Sequence, residues 1–215
     1  MKIQNLFLFL ALFAFFTLLA VGQRSLSESY LKKMTDAIAA SDFEGFRKIA
    51  DSFLTKLLFP PFNLCYLKLN AAILEGDHEK TEQAIRSFSL VNMNEYQKSD
   101  LYHKIFNHYM SEKDYEKAKV YLDKIEKEVR NPDLKEQDRY VYDIYALNSA
   151  EHIDKLLAKR EETPEKERGF LEMLISDSYR NRNDIKNADR YKEMSIRHLK
   201  QLEESIRKTN AEKQK

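Results

Sequence analysis

The sequence is poor in the residues that make turns and crosslinks, with four glycines, four prolines, one cysteine and no tryptophan in 215 residues. So few glycines and prolines argue against an all-β chain, which needs many tight turns. One cysteine excludes a disulfide framework and a four-cysteine zinc site. Lysine and arginine number 36 against 35 aspartates and glutamates, so the charge implies no large basic surface for nucleic acid. These absences favour a charged, helical and non-enzymatic chain.

The first 22 residues differ from the rest, because they contain one charge, Lys2, and an apolar run over residues 3–21. A positive start, an apolar core and the small residues of Ala20-Val21-Gly22 are typical of a signal peptide cut before Gln23. The run spans 19 residues, so a retained signal anchor is the alternative. Either reading predicts export to the cell envelope or periplasm, or secretion. Membrane contact is expected only through residues 1–22, if they are retained.

A short polar string recurs along the chain, with Asp42, Asp77, Asp114 and Asp184 each standing between two apolar-periodic stretches. The intervals are 35, 37 and 70 residues, and the last equals two periods, so a fifth turn is predicted near residues 149–150. Aspartate in this place accepts hydrogen bonds from the free N–H groups at the start of a helix. The spacing therefore predicts helical hairpins, which bury their apolar faces by stacking.

Apolar stripes at helical spacing, and breaks at prolines, predict the helices of each hairpin. Residues 201–215 are expected to form the polar end of the last helix and a frayed tail. The predicted pairs are 25–40 with 42–58, 61–75 with 77–90, 95–111 with 114–130, 133–147 with 149–159, and 164–180 with 184 to about 208.

The string from Glu112 to Leu122 resembles the turn and second helix of the tetratricopeptide repeat family. Ala118 and Ala188 lie where this family has a small residue for close helix crossing, and Pro132 matches its end-of-repeat proline. The repeats are degenerate, because most first helices lack the family's small residue and the fourth turn has no aspartate. The resemblance covers about residues 27–200 of the predicted repeat domain, residues 23–200. It implies an all-α, right-handed solenoid of about five stacked antiparallel hairpins behind the hydrophobic leader helix.

The family binds extended peptides or partner segments on a concave face lined by the first helices. Asn70 and Asn107 occupy equivalent places in successive units, and an amide can hold both the N–H and the C=O of a peptide. Arg139 can meet a carboxylate, although Asp143, one turn away, is an alternative partner for it. A peptide groove and an ordinary solvated face both fit these residues. By the resemblance, the groove-facing positions are Tyr66, Asn70, His103, Asn107, Arg139, Asp143, Asp177 and Arg180.

No residue pattern in the sequence nominates a catalytic, metal or cofactor site. His103 and His108 are five residues apart, which does not place both on one helical face. Cys65 lies in an apolar stretch and is expected to be a buried small hydrophobe. Eight of the twelve tyrosines lie in residues 96–145, where packing between hairpins and a recognition surface are both consistent with them.

The function that these features favour is an exported adaptor or scaffold that binds a protein or peptide partner without catalysis. No cofactor is implied. The alternative is an extracytoplasmic sensor or regulatory repeat domain of a signalling system, which would be a fragment of a longer chain or would signal through a partner.

Overall fold

The computed structural model describes residues 23–213, and their side chains as far as residue 209. All regular secondary structure in this part of the chain is helical, which confirms the predicted all-α class. The predicted leader lies outside the described residues. The helices are α1 (23–39), α2 (Phe43–Ala50), α3 (Phe53–Leu58), α4 (Pro61–Glu75), α5 (His78–Ser87), α6 (Glu95–Ser111), α7 (Tyr115–Glu128), α8 (Pro132–Tyr145), α9 (Ile153–Glu162), α10 (Gly169–Asn181) and α11 (Ile185–Lys213).

Short 3-10 turns over Phe88–Leu90 and Glu165–Glu167 follow α5 and precede α10. Over the described residues, no helix combines the length and the apolar character that crossing a membrane requires.

The recurring aspartates cap helices, as their spacing predicts. Asp42, Asp77, Asp114 and Asp184 each accept a hydrogen bond from the backbone N–H three residues later, at 2.8–3.1 Å. Each bond satisfies one of the N–H groups that a helix leaves free at its start. The same local chemistry therefore starts four helices along the chain.

A residue in the left-handed conformation lies at each of five turns between helices, and in four of them it directly precedes the capping aspartate. Ser41, Gly76, Lys113, Asn148 and Asn183 have φ between 52° and 73°. They are 35, 37, 35 and 35 residues apart. A left-handed residue at a helix end reverses the chain within a few residues. The predicted fifth turn is therefore confirmed at Asn148, beside residues 149–150.

The structure corrects one predicted helix, over residues 42–58, by dividing it into α2 and α3. Ser52 is extended and its hydroxyl accepts the N–H of Thr55 at 3.2 Å, so it starts a new helix. The Thr55 hydroxyl donates to the carbonyl of Ile49 at 2.6 Å. Serine and threonine side chains thus take backbone hydrogen-bonding groups that a continuous helix would use.

Two predicted helix starts are also wrong. α9 begins at Ile153 rather than at residue 149, because the Ser149 hydroxyl accepts the N–H of Glu151 at 3.3 Å and forms a local turn. α10 begins at Gly169 rather than at Pro164, which is extended and is followed by the 3-10 turn.

The chain forms two compact units, divided between residues 97 and 98. The first unit packs α1, α2 and α4 around an apolar core, with the partly buried Phe59 after α3 against it. Cys65 is half-buried in this unit, rather than buried as predicted. The buried residues of this core are Met34, Phe46, Ala50, Leu64 and Ala71.

The second unit packs its helices through small residues and polar bridges. Ala188 of α11 is fully buried, and its carbonyl accepts the hydroxyl of Ser176 on α10 at 2.7 Å. The Ser195 hydroxyl likewise donates to the carbonyl of Gly169 at 2.7 Å. The sequence prediction that Ala188 serves a close helix crossing agrees with this contact.

Candidate functional site

The second unit carries a groove of about 400 Å³ that crosses α6, α8 and α10. We call it the α6/α8/α10 groove. These three helices are neighbours, because His103 of α6 bonds to Asp138 of α8 and Tyr145 of α8 bonds to Asp177 of α10. The groove is lined by Asn107, Met110, Ser111, Lys113, Tyr115, Gln137, Val141, Tyr145, Phe170 and Met173.

The groove wall is largely apolar. Met110, Val141, Phe170 and Met173 supply its hydrophobic side chains. Methionine is flexible and polarisable, so two methionines allow the wall to adapt to different apolar partners. Phe170 also lines a second cavity towards Leu171 and Leu174, so the apolar surface continues along α10. Such a surface with a few polar groups is suited to an apolar side chain of a ligand.

A hydrogen-bonded chain fixes the polar edge of the groove on α6. The Asn107 amide nitrogen lies 2.9 Å from His103 Nε2, and His103 Nδ1 lies 2.8 Å from Asp138 Oδ1. The network assigns the histidine proton to Nδ1, so that Nε2 accepts from the amide. This arrangement holds the Asn107 side chain in place and leaves its amide oxygen available as an acceptor.

Burial raises the pKa of two side chains at or next to the groove. Asp138 is fully buried, and this burial raises the pKa of its carboxyl group, while the hydrogen bond from His103 opposes the rise. Burial also raises the pKa of Tyr145, and the hydroxyl's bond to Asp177 raises it further. The Tyr145 hydroxyl therefore stays protonated and bridges α8 to α10 at 2.7 Å.

The predicted groove positions do not all lie at this groove. Tyr66 and Asn70 are half-buried on α4 in the first unit, where the ring of Tyr66 lies 5.6 Å from that of Phe62. In the second unit, Asn107 lines the groove and His103 supports it from α6. Arg180 is exposed on α10, where it lies 4.0 Å from Asp177, the acceptor of the Tyr145 hydroxyl.

Arg139 and Asp143 are engaged by other parts of the second unit. Arg139 forms an ion pair with Glu126 of α7. Asp143 is 7% exposed and lies 2.8 Å from Nε2 of His152. The predicted alternative pairing between Arg139 and Asp143 exists at 4.0 Å, and Glu126 is the closer partner of the arginine. These two side chains therefore hold helices together at this surface.

The sequence reasoning missed the apolar residues of the groove, Met110, Val141, Phe170 and Met173. The resemblance predicts groove residues mainly at polar positions of the first helices. The four apolar side chains fit the pattern of ordinary core residues. Met110 and Met173 are only half-buried in the structure, but the sequence carries no signal that distinguishes them from core residues.

No protein-family model, curated protein or solved structure matches this chain. Membership of the tetratricopeptide repeat family thus stays a prediction from the sequence.

Proposed function

We propose that the protein is an exported, non-enzymatic interaction module whose α6/α8/α10 groove binds an extended peptide segment of a partner protein. The observation that carries this proposal is the groove itself, in which apolar side chains and amides from three neighbouring helices face one space. Its helix pairs stack as a right-handed, tetratricopeptide-like solenoid. The left-handed turns, which recur every 35 to 37 residues, support that arrangement.

The chemistry of the groove selects the ligand class. Met110, Phe170 and Met173 receive apolar side chains, which supply most of the binding free energy. The amides of Asn107 and Gln137 lie at the same surface and bond to main-chain groups, which an extended peptide leaves unpaired. The ligand is therefore a segment with apolar residues and a free backbone, rather than a folded surface or a small charged metabolite.

The export part of the proposal rests on the leader. N-terminal sequencing of the protein recovered from the cell envelope is expected to begin at Gln23. A protein that begins at Met1 would instead support the retained anchor.

The groove is tested with peptides selected from a random library on the full chain. Binding of each selected peptide is measured by fluorescence anisotropy to the wild type, to Asn107→Ala/Met173→Glu and to Val120→Glu. Val120 is 52% exposed on α7 and outside the groove, so it controls for the added charge. We expect at least tenfold weaker binding to the groove variant and unchanged binding to the control.

Circular dichroism of both variants checks that they fold. The proposal fails if the library yields no binding peptide, or if the selected peptides bind the groove variant as tightly as they bind the wild type.

A further inference from the structure

The turn between α8 and α9 brings together three side chains that can bind a metal ion. Nε2 of His152 lies 2.8 Å from Oδ2 of Asp143 and 3.6 Å from Oε1 of Glu151. All three donor atoms lie within 4.8 Å of one another. We propose that Asp143, Glu151 and His152 bind a divalent first-row transition-metal ion, with Zn²⁺ as the best match.

The distances fit a tetrahedral zinc site after small side-chain movements. Zinc lies about 2.0–2.2 Å from histidine nitrogen and carboxylate oxygen, so two tetrahedral ligands lie about 3.3–3.6 Å apart. At Nε2 of His152, the separation of 3.6 Å from Glu151 matches that spacing, and the separation of 2.8 Å from Asp143 is about 0.5 Å shorter. Water fills the fourth coordination position, as in other sites with three protein ligands.

The charge and type of the ligands also suit this ion. Two carboxylates balance the charge of a divalent cation, and one imidazole with carboxylates favours zinc over calcium or magnesium. The guanidinium of Arg139 lies 4.0 Å from Oδ1 of Asp143 and pairs with Glu126. The arginine therefore faces one carboxylate oxygen of Asp143, while the other, Oδ2, faces His152.

The backbone that carries these ligands is held in place. The side-chain amide of Asn181 donates to the carbonyls of Ile144 and Ser149, at 2.8 Å and 3.1 Å. The N–H of Ser149 donates to the carbonyl of Asp143 at 2.9 Å. These bonds restrain the turn from α10 and from the end of α8. A backbone held in this way lowers the conformational entropy that is lost when the ligands bind a metal.

A purely structural hydrogen bond accounts for Asp143 and His152, but it does not account for Glu151. The side chain of Glu151 is 73% exposed, yet its carboxylate approaches the same histidine nitrogen. The turn is also the one of the five that has no aspartate cap, and His152 precedes α9 without a side-chain cap of its own. An effect of Glu151 on metal binding therefore distinguishes a metal site from a hydrogen bond that only holds the start of α9.

The test is a calorimetric titration of Zn²⁺ into the metal-free full chain in detergent micelles, repeated with Co²⁺ and visible absorption spectra. The variants are Glu151→Gln and His152→Gln, and the matched controls are the exposed residues Glu204→Gln and His78→Gln. We expect one zinc ion per chain, at least tenfold weaker binding to Glu151→Gln and near loss of binding to His152→Gln, with both controls unchanged.

A second readout is thermal stability. Zinc is expected to raise the Tm of the wild type and of both controls, and not that of Glu151→Gln, because an ion that binds only the folded chain stabilises it. Wild-type protein that binds no zinc, or a Glu151→Gln variant that binds it like the Glu204→Gln control, would overturn the proposal. Neither outcome depends on the peptide groove.

Discussion

The two compact units differ in what their interiors contain. In the first unit, the buried polar side chains among the described residues are Thr55 and Thr81, and neither is charged. In the second unit, five buried side chains are acidic or basic. They are Asp138, Asp143, Arg160, Glu172 and His198. The comparison shows that the helices of one chain can form both an apolar interior and an interior held by charged pairs.

The cluster around Glu172 shows how the second unit tolerates its charges. Arg160 Nε donates to one carboxylate oxygen at 2.8 Å, and His198 Nδ1 lies 2.7 Å from the other. Both oxygens of the buried carboxylate are therefore satisfied by α9 and α11. A buried charge with partners is tolerated, whereas the same charge without them is costly.

Charged pairs of the first unit remain closer to water. Glu75 of α4 pairs with Arg47 of α2 at 2.5 Å and with Lys80 of α5 at 2.7 Å, and its side chain is 20% exposed. Each member can be hydrated when its partner is removed. Removal of one partner of a charged pair is therefore expected to cost less unfolding free energy in the first unit than in the second.

The largest expected effect is the removal of Glu172. Glu172→Ala leaves the guanidinium of Arg160 and the ring of His198 without their buried partner, and we expect a loss of about 3–5 kcal/mol in unfolding free energy. Glu75→Ala in the first unit is expected to cost about 1 kcal/mol or less, because its partners reach water. Urea denaturation followed by circular dichroism measures both values.

Hydrogen exchange by mass spectrometry assigns each loss to its unit. Equal losses for Glu172→Ala and Glu75→Ala would contradict the comparison.

The next effect in size concerns glycines at helix starts. A Cβ at Gly169 would lie 2.8 Å from Cγ of Leu199 and 3.1 Å from its backbone nitrogen, so Gly169→Ala is expected to cost about 1–3 kcal/mol through overpacking. A Cβ at Gly45 meets the side chain of Asp42, which can move. Gly45→Ala therefore loses a helix cap of about 1 kcal/mol and gains about as much from helix propensity.

Thermal unfolding of the two alanine variants gives this difference. A Gly169→Ala variant that is as stable as Gly45→Ala would show that α10 and α11 can separate at little cost.

A smaller effect is a difference in acid sensitivity. Hydrogen bonds from Arg47 and then Lys80 lower the pKa of Glu75 below its ordinary value of 4.5. Because the folded-state pKa is the lower one, this stabilisation is present above the ordinary pKa and is lost as the pH falls through and below it. Asp138 has the opposite sign, since burial raises the pKa of its carboxyl group.

We therefore expect the stability advantage of the wild type over Glu75→Gln to be full at neutral pH and to be lost as the pH falls below 4.5 and through the lowered folded-state pKa of Glu75. Urea midpoints measured across this range provide the test. An advantage that grows on acidification would contradict the assigned sign.

The smallest expected effect comes from exposed apolar residues. Phe53 of the first unit is 79% exposed and Ile206 of the second unit is 53% exposed. Replacement of either by serine is expected to change the unfolding free energy by no more than about 0.5 kcal/mol, because little apolar surface is lost from the interior. Matched denaturation curves check this, and a larger loss in one unit would reveal a contact that burial does not indicate.

Much of the fold follows from local chemistry that a sequence displays. Asp42, Asp77, Asp114 and Asp184 lie at their predicted turns, because a cap requires a particular side chain at one position. The break at Ser52 was not predictable in the same way, since serine is also common inside helices. It depends on hydroxyl bonds that compete with the helix only in this packing.

The site was less accessible to sequence reasoning. His103 and Asp138 are 35 residues apart, and His198 and Glu172 are 26 apart, so neither pair produces a pattern within one helix. Asn107 was predicted because it occupies an equivalent place to Asn70 in the predicted repeat. The apolar groove residues were not found, because spacing on one helix cannot separate a groove wall from a core face.

The left-handed residues at the five turns limit how this chain can change in length. Each turn reverses the chain in a few residues, and four of the five lead directly into an aspartate that caps the next helix. A residue inserted into a helix would rotate all later side chains by about 100° and turn the apolar face out of the interior. Insertion of a whole helix pair of about 35 residues keeps every helix face and every turn in register, so new length is expected to arise by duplication of that segment.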